Sequence, residues 1–182
     1  DHFDGSQQTF PKLLQKAGYE TCIIGKWHLK TQPEGFDYYS LLDGQGRYYD
    51  CPLKETGQPW DGKGQVYKGY LTDVITKKSI EWLETRSEKK PFCLMVHHKA
   101  PHGPHDPAPR HETLFEDKVI PEPATLLDKY NGRTPYLIED KLSSSRMAIC
   151  RYPQYREEIK KFAGDRDKAT RYMYQVYMNG YL

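Results

Sequence analysis

The sequence has no long hydrophobic run and no block of like charge. No stretch approaches the roughly 18 consecutive apolar residues that a membrane-spanning helix needs, so we expect a soluble chain without a membrane span. Among its 182 residues the formal net charge is only +2, and basic residues are interspersed with acidic ones. That pattern provides neither a basic stripe for nucleic acid nor a basic helix for a membrane surface. We therefore expect no nucleic acid and no membrane as partners.

Cysteine is also sparse. Four cysteines lie far apart, with no Cys-x-x-Cys pair: Cys22, Cys51, Cys93 and Cys150. This spacing argues against a zinc ribbon and against a dense disulfide framework, and it does not fix the redox compartment. Cys22 and Cys93 fall within apolar runs and are predicted to be small buried hydrophobes. The sequence begins at Asp1 without an initiator Met or a signal-like segment, so we expect any targeting segment to be lost or never to have existed.

The first elements are a helix and a strand. Thr9 is a potential N-cap, Pro11 suits a first helical turn and Gly18 suits the position after the last turn. Between them, apolar residues recur at the spacing of one helix face: Phe10, Leu13, Leu14 and Ala17. Residues 19–24 then read as a short strand. Glycine, proline, aspartate and tyrosine dominate residues 31–68, which predicts loops with short strands near 36–42 and 65–67.

A second helix is predicted from about Leu71 to Thr85, followed by an uninterrupted apolar strand over residues 92–96. Such a run is typical of a strand that is buried on both faces of a parallel sheet. Helix, strand, loop, helix and strand in this order indicate the α/β class, with a mixed, mostly parallel sheet flanked by helices.

The remaining chain is predicted to hold a long ordered loop and then helices. Residues 99–135 are rich in proline and charge, and a loop of this length is usually functional or a linker. Short helices are predicted at 143–150 and 155–162. Asp165 is expected to cap a last helix with one apolar face: Ala169, Tyr172, Met173, Val176 and Tyr177. Because that pattern still runs at the end of the sequence, we expect residues 1–182 to be an internal portion of a larger domain, incomplete at both ends.

Two basic clusters follow predicted sheet strands. The first is Lys26 and His28. The second comprises five residues: His97, His98, Lys99, His102 and His105. Ligands of open α/β sheets bind beyond the carboxyl ends of the strands, so two neighbouring strands would bring both clusters to one pocket. Lysine supplies a compact charge and histidine donates a hydrogen bond or moves a proton, which suits a sulfate or phosphate ester.

Two other interpretations stay open on the residues alone. Lys26, Trp27 and His28 also fit a surface lysine, a packed indole and a hydrogen-bonded core histidine. The second cluster also fits a transition-metal site, although it lacks the helical His-Glu-x-x-His arrangement and its prolines forbid a helix.

Several motifs together resemble the formylglycine-dependent sulfatases. The resemblance rests on Thr9-Phe10-Pro11, Leu13-Leu14, Ala17-Gly18-Tyr19, Thr21, Gly25-Lys26-Trp27-His28-Leu29, Gly35-Phe36-Asp37 and Lys99-Ala100-Pro101-His102. It covers most of the chain and implies part of an alkaline-phosphatase-like sulfatase fold. Lys30 is a departure, since a glycine is more usual after Leu29 in that family.

The resemblance implies specific roles. Lys26 would contact the sulfate oxygen and the formylglycine hydrate, and His28 would orient that hydrate or help to expel sulfate from it. His102 would bind the sulfate near the leaving oxygen as a candidate general acid. His98 and His105 are weaker candidates for the rim of the substrate pocket, together with His97 and Lys99. Trp27 is expected to pack and to hold its neighbours in place.

Other family features are missing from the sequence. It contains no Cys-x-Pro-x-Arg or Ser-x-Pro-x-Arg, no adjacent acidic pair upstream and no later Asp-Asn. The formylglycine and the ligands of the family's calcium are therefore expected outside residues 1–182. No metal ligand is assigned here, and the isolated chain is expected to be inactive and marginally stable.

The run from Phe3 to His102 is most similar to enzymes that remove the 6-O-sulfate from N-acetylglucosamine in a sulfated glycan. The implied location is extracytoplasmic: periplasmic, secreted or lysosomal. Two alternatives remain, namely a phosphodiesterase or phosphonate hydrolase of the same superfamily, and a non-catalytic glycan-binding module.

Overall fold

The computed structural model describes residues 2–115, 117–135, 156–162 and 164–181. The chain divides into two compact units, Asp1–Asp106 and Pro107–Leu182. In order, the elements of the first unit are α1 (Phe10–Lys16), β1 (Glu20–Trp27), β2 (Tyr38–Asp43), β3 (Pro52–Glu55), β4 (Gln65–Val66), α2 (Leu71–Thr85) and β5 (Phe92–His97). The second unit contains a short 3-10 helix (Pro109–His111), α3 (Arg156–Lys160) and α4 (Arg166–Tyr181).

A five-stranded mixed sheet organises the first unit, in the order β4-β3-β2-β1-β5. β1 is parallel to both of its neighbours, β2 and β5, whereas β3 and β4 continue the sheet in antiparallel fashion. The prediction of a mixed α/β sheet flanked by helices is therefore confirmed. Because β1, β2 and β5 run in the same direction, their carboxyl ends lie at one edge of the sheet.

The two faces of the sheet carry separate cores. On one face, Cys22 and Ile24 of β1 belong to a fully buried cluster with Leu71 and Ile75 of α2. On the other, Ile23 clusters with residues of β2 and with partly buried aromatic rings. Complete burial of one such aliphatic side chain contributes about 1.5–3 kcal/mol. Alternation along β1 therefore anchors the strand on both sides up to Gly25, just before the basic residues.

Three sequence expectations need correction. β1 does not end at Ile24 but continues to Trp27, so that Lys26 lies within the strand. β5 is not buried on both faces: it is an edge strand of the described sheet, and Phe92 and Val96 are 40% and 38% exposed. Thr9 occupies the N-cap position of α1, but its hydroxyl makes no capping bond.

The remaining elements largely follow the sequence pattern. α2 has the predicted bounds, and α3 lies within the predicted 155–162 helix. Asp165 caps α4 as expected, because its Oδ1 accepts a hydrogen bond from the backbone N–H of Lys168 at 3.0 Å. The helix predicted at 143–150 lies outside the described residues. Cys22 is buried as predicted, whereas Cys93 is only partly buried.

Candidate functional site

The carboxyl ends of β1 and β5 bring the two basic clusters close together. Gly25 of β1 is in register with His97 of β5, and His97 Nδ1 lies 3.3 Å from the carbonyl oxygen of Lys26. A Cβ on residue 25 would lie 1.9 Å from the His97 carbonyl oxygen, and the φ of Gly25 is +116°. Only glycine both lacks a Cβ and adopts such a positive φ without strain. β1 and β5 are neighbours, which is the condition on which the convergence of the two clusters depended, and Gly25 allows their close approach.

Gln45 connects the two basic residues of the first cluster. Lys26 Nζ donates a hydrogen bond to Gln45 Oε1 at 2.7 Å, and Gln45 Nε2 lies 3.3 Å from His28 Nδ1. Gln45 follows the carboxyl end of β2, in the loop Gly44-Gln45-Gly46. Sequence reasoning missed it, although its place just after a strand at the same sheet edge was an available signal.

A pocket of about 370 Å³ adjoins this group. Lys26, His28 and His97 line it together with apolar side chains, among them Phe3, Phe10 and Met95. A basic group next to apolar walls is suited to a ligand that combines an anionic substituent with a hydrophobic or sugar-like body. Among the described residues, His98, His102 and His105 do not belong to the lining of this pocket.

Trp27 has a packing role, as predicted from the sequence. Its indole Nε1–H donates to the carbonyl oxygen of Thr31 at 2.6 Å, and its ring meets Phe36 edge to face at 6.4 Å. Asp37 of the Gly-Phe-Asp motif is also structural, because its Oδ2 accepts hydrogen bonds from the backbone N–H and the hydroxyl of Thr21. These contacts fix both ends of β1 and the approach to β2.

Buried residues hold the loop that contains His102 in place. Tyr48, which is only 3% exposed, donates a 2.6 Å hydrogen bond from its hydroxyl to the His102 carbonyl oxygen. His102 Nδ1 lies 2.9 Å from the carbonyl oxygen of Gly103. Because a carbonyl only accepts, Nδ1 carries the proton, and Nε2 of the exposed ring remains for a ligand. Tyr48 is a second residue that the sequence reasoning missed.

Lys99 links the His102 loop to Lys26 electrostatically. Its side chain is 4% exposed, donates to the Gly103 carbonyl oxygen at 3.2 Å and lies 4.9 Å from the centre of the Tyr48 ring. Burial and, to a smaller extent, the positive charge of Lys26 lower the pKa of Lys99. Two lysines that influence each other in this way create a local positive field suited to an oxyanion.

The two remaining candidates, His98 and His105, lie outside the lining of the pocket beside Lys26. His98 is exposed overall, although partial desolvation of its ring lowers its pKa. His105 has a positive φ of 70° and is partly buried. Their predicted place at the rim of a substrate pocket stays a prediction.

The chain belongs to the sulfatase family: the family profile described as Sulfatase matches residues 2–179. It is 54% identical over 144 residues to an N-acetylglucosamine-6-O-sulfatase of Bacteroides thetaiotaomicron. The aligned region covers 78% of this chain and 25% of that protein. It is also 29% identical over 113 residues to a putative extracellular sulfatase Sulf-1 homolog of Caenorhabditis elegans, covering 58% of this chain and 16% of that protein.

The fold agrees with this family. The solved structure of BT4656 in complex with its substrate D-glucosamine-2-N,6-O-disulfate matches all of this chain and 44% of that chain, with a TM-score of 0.75 and 38% sequence identity. The predicted alkaline-phosphatase-like sulfatase fold is thereby confirmed. The chain spans about a quarter of the length of the first curated relative, and less than half of the solved one.

Sulfatases generally use formylglycine and a divalent metal. Within the described ranges, no group of three or more His, Cys, Asp or Glu residues could hold a metal ion, and the sequence has no Cys-x-Pro-x-Arg or Ser-x-Pro-x-Arg. The described residues therefore offer no site for the metal, and the sequence offers no precursor motif for formylglycine. No described helix combines the length and apolar character required to cross a membrane.

Proposed function

We propose that the protein containing this sequence hydrolyses sulfate esters, with the 6-O-sulfate of N-acetylglucosamine in a sulfated glycan as its substrate. The observation that carries the proposal is the convergence of Lys26, His28 and His97 beside one pocket at the carboxyl edge of the sheet. The substrate assignment is supported by the 54% identity to an N-acetylglucosamine-6-O-sulfatase.

Each of three residues has a proposed part in this reaction. The Lys26 ammonium neutralises a sulfate oxygen, and His28 donates a hydrogen bond at the same end of the pocket. His102 keeps its Nδ1–H on the Gly103 carbonyl oxygen, and the doubly protonated ring passes its Nε2 proton to the leaving alcohol oxygen, which leaves the neutral Nδ1–H form. Protonation by a positioned histidine contributes about 10²–10⁴-fold to a rate. His98 and His105 are proposed to rim the sugar-binding part.

We further propose that residues 1–182 are an internal part of the catalytic domain. Formylglycine and calcium would be supplied from outside this chain, which agrees with the fraction of the relatives' length that it spans. An extracytoplasmic location is supported by the naming of one relative as extracellular. On this proposal the isolated 182-residue chain releases no sulfate.

The test uses the full-length protein, with 6-O-sulfated N-acetylglucosamine and a phosphodiester as competing substrates. We expect Lys26→Ala to reduce kcat/KM for the sulfate ester about 10²–10³-fold and His102→Ala about 10²–10⁴-fold. Lys77→Ala serves as the matched control, because Lys77 is an exposed lysine on α2, and should leave turnover unchanged.

Two results would overturn the proposal. Faster turnover of the phosphodiester than of the sulfate ester would favour a phosphodiesterase or phosphonate hydrolase. The second result is that the wild-type protein binds the sulfated glycan without releasing sulfate, and that the Lys26→Ala and His102→Ala variants bind it equally well. This result would favour a non-catalytic glycan-binding module.

A further inference from the structure

We propose that Gln45 is a positioning residue of this site, which holds neutral His28 in the tautomer that carries its proton on Nε2. The inference rests on the proposed function for its catalytic meaning, but the tautomer itself is a property of the site that can be measured without turnover. In this role Gln45 acts through Lys26 and His28 rather than on the substrate.

The orientation of the Gln45 amide follows from its partner on one side. A lysine ammonium has three donors and no acceptor. The Gln45 atom that lies 2.7 Å from Lys26 Nζ is therefore the amide oxygen. The opposite orientation would place an NH₂ group against an ammonium, with two donors facing each other and no acceptor between them.

The fixed amide then determines the state of His28. The Gln45 NH₂ group is a donor only, and it lies 3.3 Å from His28 Nδ1. To form this bond Nδ1 must accept, so the proton of the neutral ring is on Nε2. His28 can then donate to an oxyanion without first becoming an imidazolium. The lysine thus selects the histidine tautomer through a neutral amide.

The backbone places Gln45 at the required position. Lys26 is in register with Leu42, and Trp27 with Asp43, so the loop after β2 begins beside the last residue of β1. Gly44 and Gly46 both have a φ of +56°, and the Gly46 N–H donates to the Asp43 carbonyl oxygen at 3.1 Å. This tight turn carries Gln45 to the Lys26 and His28 side chains.

An acidic side chain of the same shape would reverse the effect on His28. In Gln45→Glu the carboxylate still accepts from Lys26, but its second oxygen also accepts. It therefore favours a proton on Nδ1 and stabilises the imidazolium. The amide is required for the Nε2–H tautomer, whereas a merely space-filling or lysine-binding role would tolerate glutamate.

The experiment compares wild type, Gln45→Glu and Gln45→Leu in the full-length protein, labelled with ¹⁵N-histidine. Long-range ¹H–¹⁵N correlation spectra report which ring nitrogen is protonated, and His28→Gln identifies the His28 signals. Gln65→Glu, at an exposed position on β4, controls for the added charge. We expect Nε2–H in wild type and Gln65→Glu, Nδ1 protonation in Gln45→Glu and a mixture in Gln45→Leu.

Kinetics give a second, independent readout. In Gln45→Glu the acid limb of the kcat/KM profile should move to higher pH, because the introduced carboxylate stabilises the charged form of the His28 ring. At neutral pH kcat should fall about 10- to 100-fold, the range that applies when a metal-binding histidine loses the partner that orients it. A proton on Nδ1 in wild-type His28, or an unchanged tautomer in Gln45→Glu, overturns the inference. Absence of sulfatase activity in wild type overturns the proposed function instead, since the spectra still decide the tautomer.

Discussion

Removal of the Tyr48 hydroxyl tests whether the His102 loop is held for catalysis. Tyr48→Phe deletes the 2.6 Å hydrogen bond to the His102 carbonyl oxygen. The ring keeps its stacked contact with Tyr70 at 6.0 Å and its position under Lys99. The fold is therefore expected to survive, while the loop that carries the proposed general acid loses one anchor.

The size of the effect follows from that single bond. A neutral hydrogen bond of this kind contributes about 0.5–1.5 kcal/mol. If the whole loss falls on the transition state, kcat/KM decreases about 2- to 12-fold, because 1.36 kcal/mol corresponds to a factor of ten. We expect the decrease mainly in kcat, because His102 is proposed to protonate the leaving oxygen in the transition state as well as to bind the sulfate.

The assay is sulfate release by the full-length protein, with kcat and KM determined separately. Tyr19→Phe is the control, because Tyr19 precedes β1 at the opposite edge of the sheet and is 36% exposed. The reasoning is refuted if Tyr48→Phe retains the kcat of wild type, or if the control loses as much activity as Tyr48→Phe does.

Two further predictions concern stability. Gly25→Ala should lower the free energy of unfolding by about 2–6 kcal/mol in urea titrations, because it combines backbone strain with a clash at the His97 carbonyl. The control Gly57→Ala has a positive φ but open space around the new side chain, so it should lower the free energy of unfolding clearly less. Equal decreases for the two variants would contradict this reasoning. Burial acts to raise the pKa of Glu55, but hydrogen bonds, the largest from Lys78, hold that pKa below its ordinary value. The stabilisation from Glu55 is therefore complete above the pKa of the unfolded chain and is lost as the pH falls through the lower folded-state pKa. Parallel curves of stability against pH for wild type and Glu55→Gln would refute the idea.

Local patterns predicted the elements whose residues face one consistent environment. The bounds of α2 were predicted without error, and α1 and β5 to within a residue, because apolar periodicity or a continuous apolar run marks them. β3 was missed: it is four residues long, starts with Pro52 and contains two charged residues. Its stability comes from pairing with β2, which no local pattern encodes.

Gly25 explains the error at the end of β1. A glycine after an apolar run ordinarily indicates a strand end. Here it lies inside the strand, because β5 approaches too closely for a side chain. The overestimated burial of β5 has a related cause, since an apolar run does not reveal whether a strand has one neighbour or two.

In the candidate site, too, local patterns predicted some residues, and the residues that depend on long-range pairing were missed. Lys26, His28 and the histidines near the end of β5 were predicted because polar residues were expected directly after the strands, although Lys26 and His97 lie within the strands themselves. Gln45 and Tyr48 were not, because an amide and a phenol in a glycine-rich loop carry no distinctive pattern. Their relevance depends on the register of β1 with β2 and on the return of the His102 loop over Tyr48, and both are long-range properties.

The sequence distances across the site have a consequence for folding. The contact between Lys26 and His97 spans 71 positions, and that between Tyr48 and His102 spans 54. Contacts of such high order form late, after local helices, because chain closure must be completed first. During refolding, helical circular dichroism should therefore recover before the histidine environment does. A kinetic intermediate of this protein would be rich in secondary structure and would lack the contacts that form the proposed anion site.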